Sequence, residues 1–210
     1  MNRMSGIAAL AATLAIAAPA LAHGTGSSDG PSHGPLMSAD QMYQAFGWDF
    51  DKAEIRTETL AEGFHVLFGL GGNIAVSVGA DGTLIVDDQF PQLMPKIQTA
   101  LQQVGSEQVD FVINTHWHFD HADGNQTLGK QGSWIVSQAN SRDKMLHDNI
   151  VNFGPFATEQ KAYPQHALSD ITFDTTMQFH INDQTIELLH VGPAHTTGDA
   201  AVLFRGVNAV

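Results

Sequence analysis

One stretch constrains this chain more than any other: Val112-Ile113-Asn114-Thr115-His116-Trp117-His118-Phe119-Asp120-His121. An apolar run ends there, and residues of metal-ligand chemistry begin almost at once. Residues two apart in extended chain face the same way, so His116 and His118 converge on one ion. A tight turn through Phe119 then carries Asp120 and His121 toward a second. Imidazole and carboxylate are donors that zinc accepts at about 2.0–2.2 Å. These four, with His195 further on, exceed what a single catalytic zinc with an open position takes. The excess points to a two-metal site, with ions roughly 3.5–4 Å apart. Burying three imidazoles and a carboxylate without metal would cost on the order of several kcal/mol in desolvation.

The surrounding pattern is that of a layered α/β domain. Residues 55–60, 64–68, 73–78 and 83–86 are short runs, mostly rich in β-branched and aromatic side chains and parted by glycine-containing breaks. They read as an antiparallel meander. Residues 91–104 place Leu93, Ile97, Leu101 and Val104 on one helical face. Residues 109–113, apolar except for Asp110, read as a strand covered on both sides. A strand over 134–137 and a helix capped by Ser141 and running to about Asp148 follow. Strands are then expected over 171–173, 177–181, 185–191 and 200–204, with Asn182-Asp183 as a turn.

Composition narrows the partners. The net charge is −13, from 9 basic and 22 acidic residues. A surface of that sign repels polyanions, which argues against nucleic acid. The chain has no cysteine, so thiolate ligands and cysteine nucleophiles are ruled out. Residues 1–22 carry Arg3, then an Ala/Leu/Ile-rich run and Ala20-Leu21-Ala22, the pattern of a cleaved secretory signal. A periplasmic or secreted protein without stable membrane association is therefore expected. Residues 23–50 read as a flexible leader and lead-in segment, in which His23 and His33 are incidental, and residues 51–210 as the folded domain.

Thr115 to His121 resembles the His-x-His-x-Asp-His signature of the metallo-β-lactamase superfamily. Gly192-Pro193-Ala194-His195-Thr196-Thr197-Gly198-Asp199 is similar to its later motif, and Leu84-Ile85-Val86-Asp87 to its strand-ending aspartate. Ala122-Asp123-Gly124-Asn125 continues the metal loop as the family does. The resemblance implies an αββα sandwich, incomplete at the C-terminus. It further implies that His116, His118 and His195 hold a first zinc, and that Asp120 and His121 hold a second. The metal pair would lower the pKa of bound water and supply hydroxide to attack an ester, thioester or lactam carbonyl of a small molecule. Asp120 would orient that nucleophile and pass a proton to the leaving group. Thr115, Asp87 and Asp199 would steady the ligands from behind, or serve as plain turns and caps.

The family places further ligands after the His195 motif, an aspartate bridging both metals and a final histidine. Only 15 residues follow His195 here, none of them histidine and none acidic beyond Asp199. The expectation is a truncated fold that binds a second metal weakly and is poorly stable alone. Two other functions stay open: a mononuclear iron oxygenase of the same fold, and a non-catalytic metal-binding fragment. Of the remaining side chains, His190 is expected to pack and hydrogen-bond in the core, and His65, His147, His166 and His180 to sit on surface or in core. Phe153, Phe156 and Tyr163 read as packing beneath a long loop, with a substrate-pocket wall as the other reading. Leu70, between glycines, reads as a turn residue or a mobile flap.

Overall fold

Ser38-x-x-Gln41 is a capping box, and it begins a helix in the segment whose composition suggests only a leader and lead-in. The computed structural model describes residues 33–210, so the expected signal, His23 and most of the leader lie outside the described residues. Strand β1 (Leu36–Met37) is followed by helix α1 (Ala39–Phe46). The Ser38 side chain accepts from the Gln41 N–H, and the Gln41 side chain accepts from the Ser38 N–H. Gly47, at φ 69°, ends the helix in the left-handed conformation a glycine adopts freely.

The meander forms as its β-branched runs and glycine breaks predict. Strands β2 (Arg56–Ala61), β3 (Phe64–Phe68), β4 (Ile74–Gly79) and β5 (Gly82–Val86) pair antiparallel in chain order. A 3-10 turn over Pro91–Leu93 leads into α2 (Met94–Gln103), and β6 (Phe111–Ile113) then lies parallel to β5. The metal-loop sequence continues as two short helices, α3 (Phe119–Ala122) and α4 (Asn125–Gln131), so the expected tight turn at Phe119 is a helical turn. Strand β7 (Trp134–Gln138) runs into α5 (Ala139–Met145). Gln138 caps that helix through its side chain, which accepts from the Asn140 N–H at 2.6 Å. Ser141 does not cap it. It lies inside the helix, buried, and its hydroxyl is spent on the Gly198 carbonyl.

Strands β8 (Asn149–Asn152) and β9 (Ala157–Gln160) form a hairpin whose free edge takes β1 in parallel. Strand β10 (Ile171–Phe173) adds to β7, completing a seven-stranded sheet in the order β10-β7-β6-β5-β4-β3-β2. A second antiparallel sheet holds β11 (Thr176–Ile181), β12 (Gln184–Leu189) and β13 (Ala201–Phe204).

Alternation along the large sheet divides the core. Val76, Ile85 and Val112 join Met94, Ile97 and Leu101 of α2 in one cluster. Leu84, Val86, Ile113 and Val136 join Ile186, Leu188, Val202 and Phe204 of the small sheet in the other. Burying each such aliphatic side chain contributes about 1.5–3 kcal/mol. The result is a helix layer, a large sheet and a small sheet. The small sheet's outer face carries Gln178, His180, Glu187 and Leu203, exposed or half-buried. Residues after β13 fold back onto it, with Phe204 and Ala209 exchanging backbone hydrogen bonds at 2.8 and 3.2 Å.

Asn182 joins the two sheets. It and Asp183 are both left-handed (φ 53° and 56°), as a two-residue hairpin turn requires. Its amide accepts from the Asp81 N–H and donates to Ser77 Oγ and the Gly82 carbonyl, at 3.0–3.2 Å. Asn182→Ala removes these bonds and asks alanine to hold a positive φ. It is expected to lower unfolding free energy by about 2–3 kcal/mol, read by urea denaturation.

Candidate metal centre

Sheet topology places the site. Strands β5, β6 and β7 are parallel neighbours, and the crevice beyond the carboxyl ends of such strands is where α/β sheets bind ligands. Asp87 follows β5 directly, residues 114–121 follow β6, and α5 follows β7. The loop between β12 and β13 brings His195 to the same place from the small sheet. Three bonds dock that loop. Ser141 Oγ donates to the Gly198 carbonyl, Asn140 Nδ2 to the Thr197 carbonyl, and the Ala200 N–H to the Thr115 carbonyl, all at 2.8 Å. Asp199 shapes the loop from within, accepting from the Thr196 N–H and hydroxyl at 2.7 and 2.8 Å.

Among the described residues, the group of acidic, histidine or cysteine side chains that could hold one metal ion is His116, His118 and His195, each offering a ring nitrogen within 4.8 Å of the others. His118 Nδ1 and His195 Nε2 are 3.1 Å apart. Two nitrogens on a tetrahedral zinc sit about 3.3 Å apart, given bonds near 2.0–2.1 Å. His116 is 7% exposed, its Nδ1 lies 3.1 Å from Thr115 Oγ1, and its Nε2 is buried without a hydrogen-bond partner. A buried nitrogen left unpaired in a protein is normally costly; a metal ion removes that cost, so the donor set fits one. Burial, then neighbouring His121, His118 and His195, push the His116 pKa down to about 2. Burial and then His195 push His118 to about 3. Both rings are therefore neutral at physiological pH, with lone pairs free to bind.

Asp120 and His121 lie beside this group. His121 Nε2 is 3.6 Å from Asp120 Oδ2, and the His121 ring centroid is 4.2 Å from that of His116. Burial raises the Asp120 pKa against the opposing pull of His121. Burial opposes charge on His121, yet the Asp87 and Asp120 carboxylates outweigh it and its pKa is raised. Asp87 is the hub. It is 3% exposed and accepts from the Thr115 N–H (2.7 Å), the Thr115 hydroxyl (2.8 Å) and His121 Nδ1 (2.6 Å). Its φ of 63° is unusual for a residue with a side chain, and such strain collects at functional sites.

Leu70 is half-buried and packs against the helix-side core, and Gly71 and Gly72 after it lie against the metal loop. The Gly72 N–H donates to the Asp120 carbonyl at 3.2 Å, and a Cβ on Gly72 would fall 2.5 Å from the His121 ring. Three further residues support the loop, of which the sequence singles out only Asn125, as a continuation of the metal loop. Gln89, buried at φ 56°, donates from its side chain to the Gly72 carbonyl and accepts at its own carbonyl from the Gly124 N–H. Asn125 Nδ2 donates to Asn114 Oδ1 at 2.8 Å. Gln160 reaches the loop from β9. The sequence offers a cue for Asn125 in the loop motif, for Gln89 only in its nearness to the ligands, and none for Gln160.

The other histidines fall as expected. His190 is half-buried with Nδ1 at 2.7 Å from the Asp199 carbonyl. His65 is buried with Nδ1 at 2.9 Å from Thr59 Oγ1, and His147, His166 and His180 are exposed. Phe153 and Phe156 pack with exposed Phe46, their ring centroids 5.2 and 5.7 Å from it. Tyr163 is buried and donates to Asp123 Oδ1 at 2.7 Å.

Comparison with known proteins adds to this geometry. The family model described as Metallo-beta-lactamase superfamily matches residues 68–210. A Coenzyme F420H(2) oxidase of Methanothermobacter marburgensis is 36% identical over 62 residues, or 28% of this chain and 15% of that protein. MEM-A1, a subclass B3 metallo-beta-lactamase from a soil metagenome library, superposes with a TM-score of 0.61 at 16% identity, covering 74% of this chain and 59% of that one. A metallo-beta-lactamase of Cronobacter sakazakii with a HARLDQ motif gives 0.65 at 16% identity, covering 85% and 63%. BJP-1, a subclass B3 enzyme of Bradyrhizobium japonicum, gives 0.60 at 18%, covering 72% and 57%. The chain thus spans about six-tenths of the length of these solved structures, and the likeness to them is one of fold.

Proposed function

The chain belongs to the metallo-β-lactamase superfamily, and from that premise we propose that it is a zinc-dependent hydrolase of a small ester, thioester or lactam. One observation carries the reading: His116 Nε2, buried and unpartnered, belongs to a ring grouped with His118 and His195. Three imidazoles with an open fourth position are the donor set of catalytic zinc, which polarises a carbonyl and brings a bound water to a pKa of about 7. The chain's own residues would do the rest. His116, His118 and His195 hold the ion, and Asp87 with Thr115 keeps the loop in register. Asp120, 26% exposed at its side chain, faces the site as the carboxylate that orients the attacking water and hands a proton to the leaving group. Asp120 and His121 are the proposed holders of a second zinc. We further propose that residues 1–22 direct export to the periplasm or beyond, and that the substrate is a small molecule and not a nucleic acid, in keeping with the charge of −13.

The test is hydrolysis of a chromogenic lactam, a thioester and an aryl ester by the zinc-loaded chain. Activity that disappears with chelator and returns with zinc is expected; no turnover of any of the three sinks the reading for those substrates. Zinc at a hundred times its dissociation constant is also expected to raise unfolding free energy by about 2.7 kcal/mol, seen as a melting shift that chelator reverses.

A second reading rests on the oxidase match. Histidine and carboxylate donors also suit iron. An iron-loaded chain that consumes oxygen with a reduced substrate, while the zinc form hydrolyses nothing, would favour it.

A further inference from the structure

We propose that Gln160 is a positioning residue for the three-histidine site, acting by fixing the backbone on both sides of His118. The inference rests on the metal-site reading above. Gln160 ends β9, and its side chain is buried. Its Oε1 accepts from the Phe119 N–H at 3.1 Å, and its Nε2 donates to the Trp117 carbonyl at 2.8 Å. Those two groups flank His118, so one planar amide grips the chain before and after a ligand, much as a neighbouring strand would. The same Nε2 lies 3.2 Å from the Tyr163 hydroxyl, which donates to Asp123 Oδ1 at 2.7 Å. The clamp is thus anchored through its Nε2 to Tyr163 and on to Asp123.

Local sequence leaves this job undone. Helix α3 begins at Phe119, and its N-cap residue, His118, makes no side-chain capping bond. The first-turn N–H groups of a helix need an outside acceptor, and Gln160 Oε1 supplies one for Phe119. The turn so fixed carries Asp120 and His121. With the peptides at 117 and 119 held, the Cα–Cβ direction of His118 is set before any metal arrives. Metal affinity is sensitive to this kind of support: loss of groups that orient ligands weakens binding about 10–100-fold.

Zinc affinity, measured by competition with a chromophoric chelator, and the visible absorption of the cobalt-substituted chain decide the matter. Gln160→Met keeps the volume and removes both bonds. It is expected to bind zinc about 10–100-fold more weakly than the parent, with shifted cobalt bands. Asn182→Ala serves as a variant weakened in stability but remote from the loop, and is expected to keep the parent's affinity and spectrum. Parent-like affinity and bands in Gln160→Met would overturn the proposal, as would an equal loss in Asn182→Ala. If Gln160→Met does not fold, Gln160→Glu, which retains an acceptor for Phe119 and loses the Nε2 donor to Trp117 and Tyr163, is judged by the same two readouts. A parent chain that binds neither zinc nor cobalt would instead overturn the metal-site reading itself.

Discussion

His116→Ala is expected to weaken zinc binding by more than about a hundredfold, beyond the loss that a supporting residue causes, and to bring any zinc-dependent hydrolysis to background. The ring it removes is the most buried of the three, and its free nitrogen is the one already stripped of water. Without metal the balance differs. The parent carries an unpaired buried nitrogen at Nε2, so deleting the ring removes a liability along with its packing. The apo proteins are therefore expected to melt close together, while the zinc-dependent rise in melting temperature vanishes in the variant. A zinc titration followed by thermal unfolding, with and without chelator, reads both. An unchanged zinc affinity would remove His116 from the site.

Asp87→Ala is expected to be the most destabilising change near the site. Three donors lose their acceptor together: the Thr115 N–H, the Thr115 hydroxyl and His121 Nδ1. Leaving buried donors unpaired costs about 1–3 kcal/mol each. Alanine must also hold the φ of 63°, for about 1–2 kcal/mol more. The sum is a loss of more than about 4 kcal/mol in urea unfolding of the metal-free chain. Asp87→Asn tolerates the left-handed backbone and keeps one oxygen, so a smaller loss is expected there. A loss under about 1 kcal/mol in Asp87→Ala would show that the metal loop does not depend on this carboxylate.

Much of this arrangement is legible in the order of the amino acids. Strands β2 to β5 announce themselves by β-branched and aromatic runs and glycine breaks. Val112 and Ile113 point to opposite clusters, as an apolar strand buried on both faces must. The His-x-His spacing brings His116 and His118 onto one side, and the later motif supplies His195. Other parts escape for physical reasons. Helix α1 has its signature in Ser38 and Gln41, but the polar Gly/Ser stretch ahead of it reads as unfolded, and β1 is only two residues long. Helices α3 and α4 are too short to show a period. Strand β9 reads Ala-Thr-Glu-Gln, with no alternation of apolar and polar residues, and Gln160 acquires its role only across 41 residues of chain. Gly72 looks like a loop glycine until its contact with the His121 ring shows why nothing larger fits.

His118 and His195 are 77 residues apart in sequence, and they leave different sheets. An ion shared between them is therefore a cross-link as well as a reagent. In this chain, which has no cysteine, such an ion would tie the two sheets together in the folded state alone, and would stabilise it by binding that state and not the unfolded chain. Unlike a disulfide, such a bond would answer to the free metal around it. Scarcity of metal would then silence the chemistry and loosen one sheet from the other in a single event.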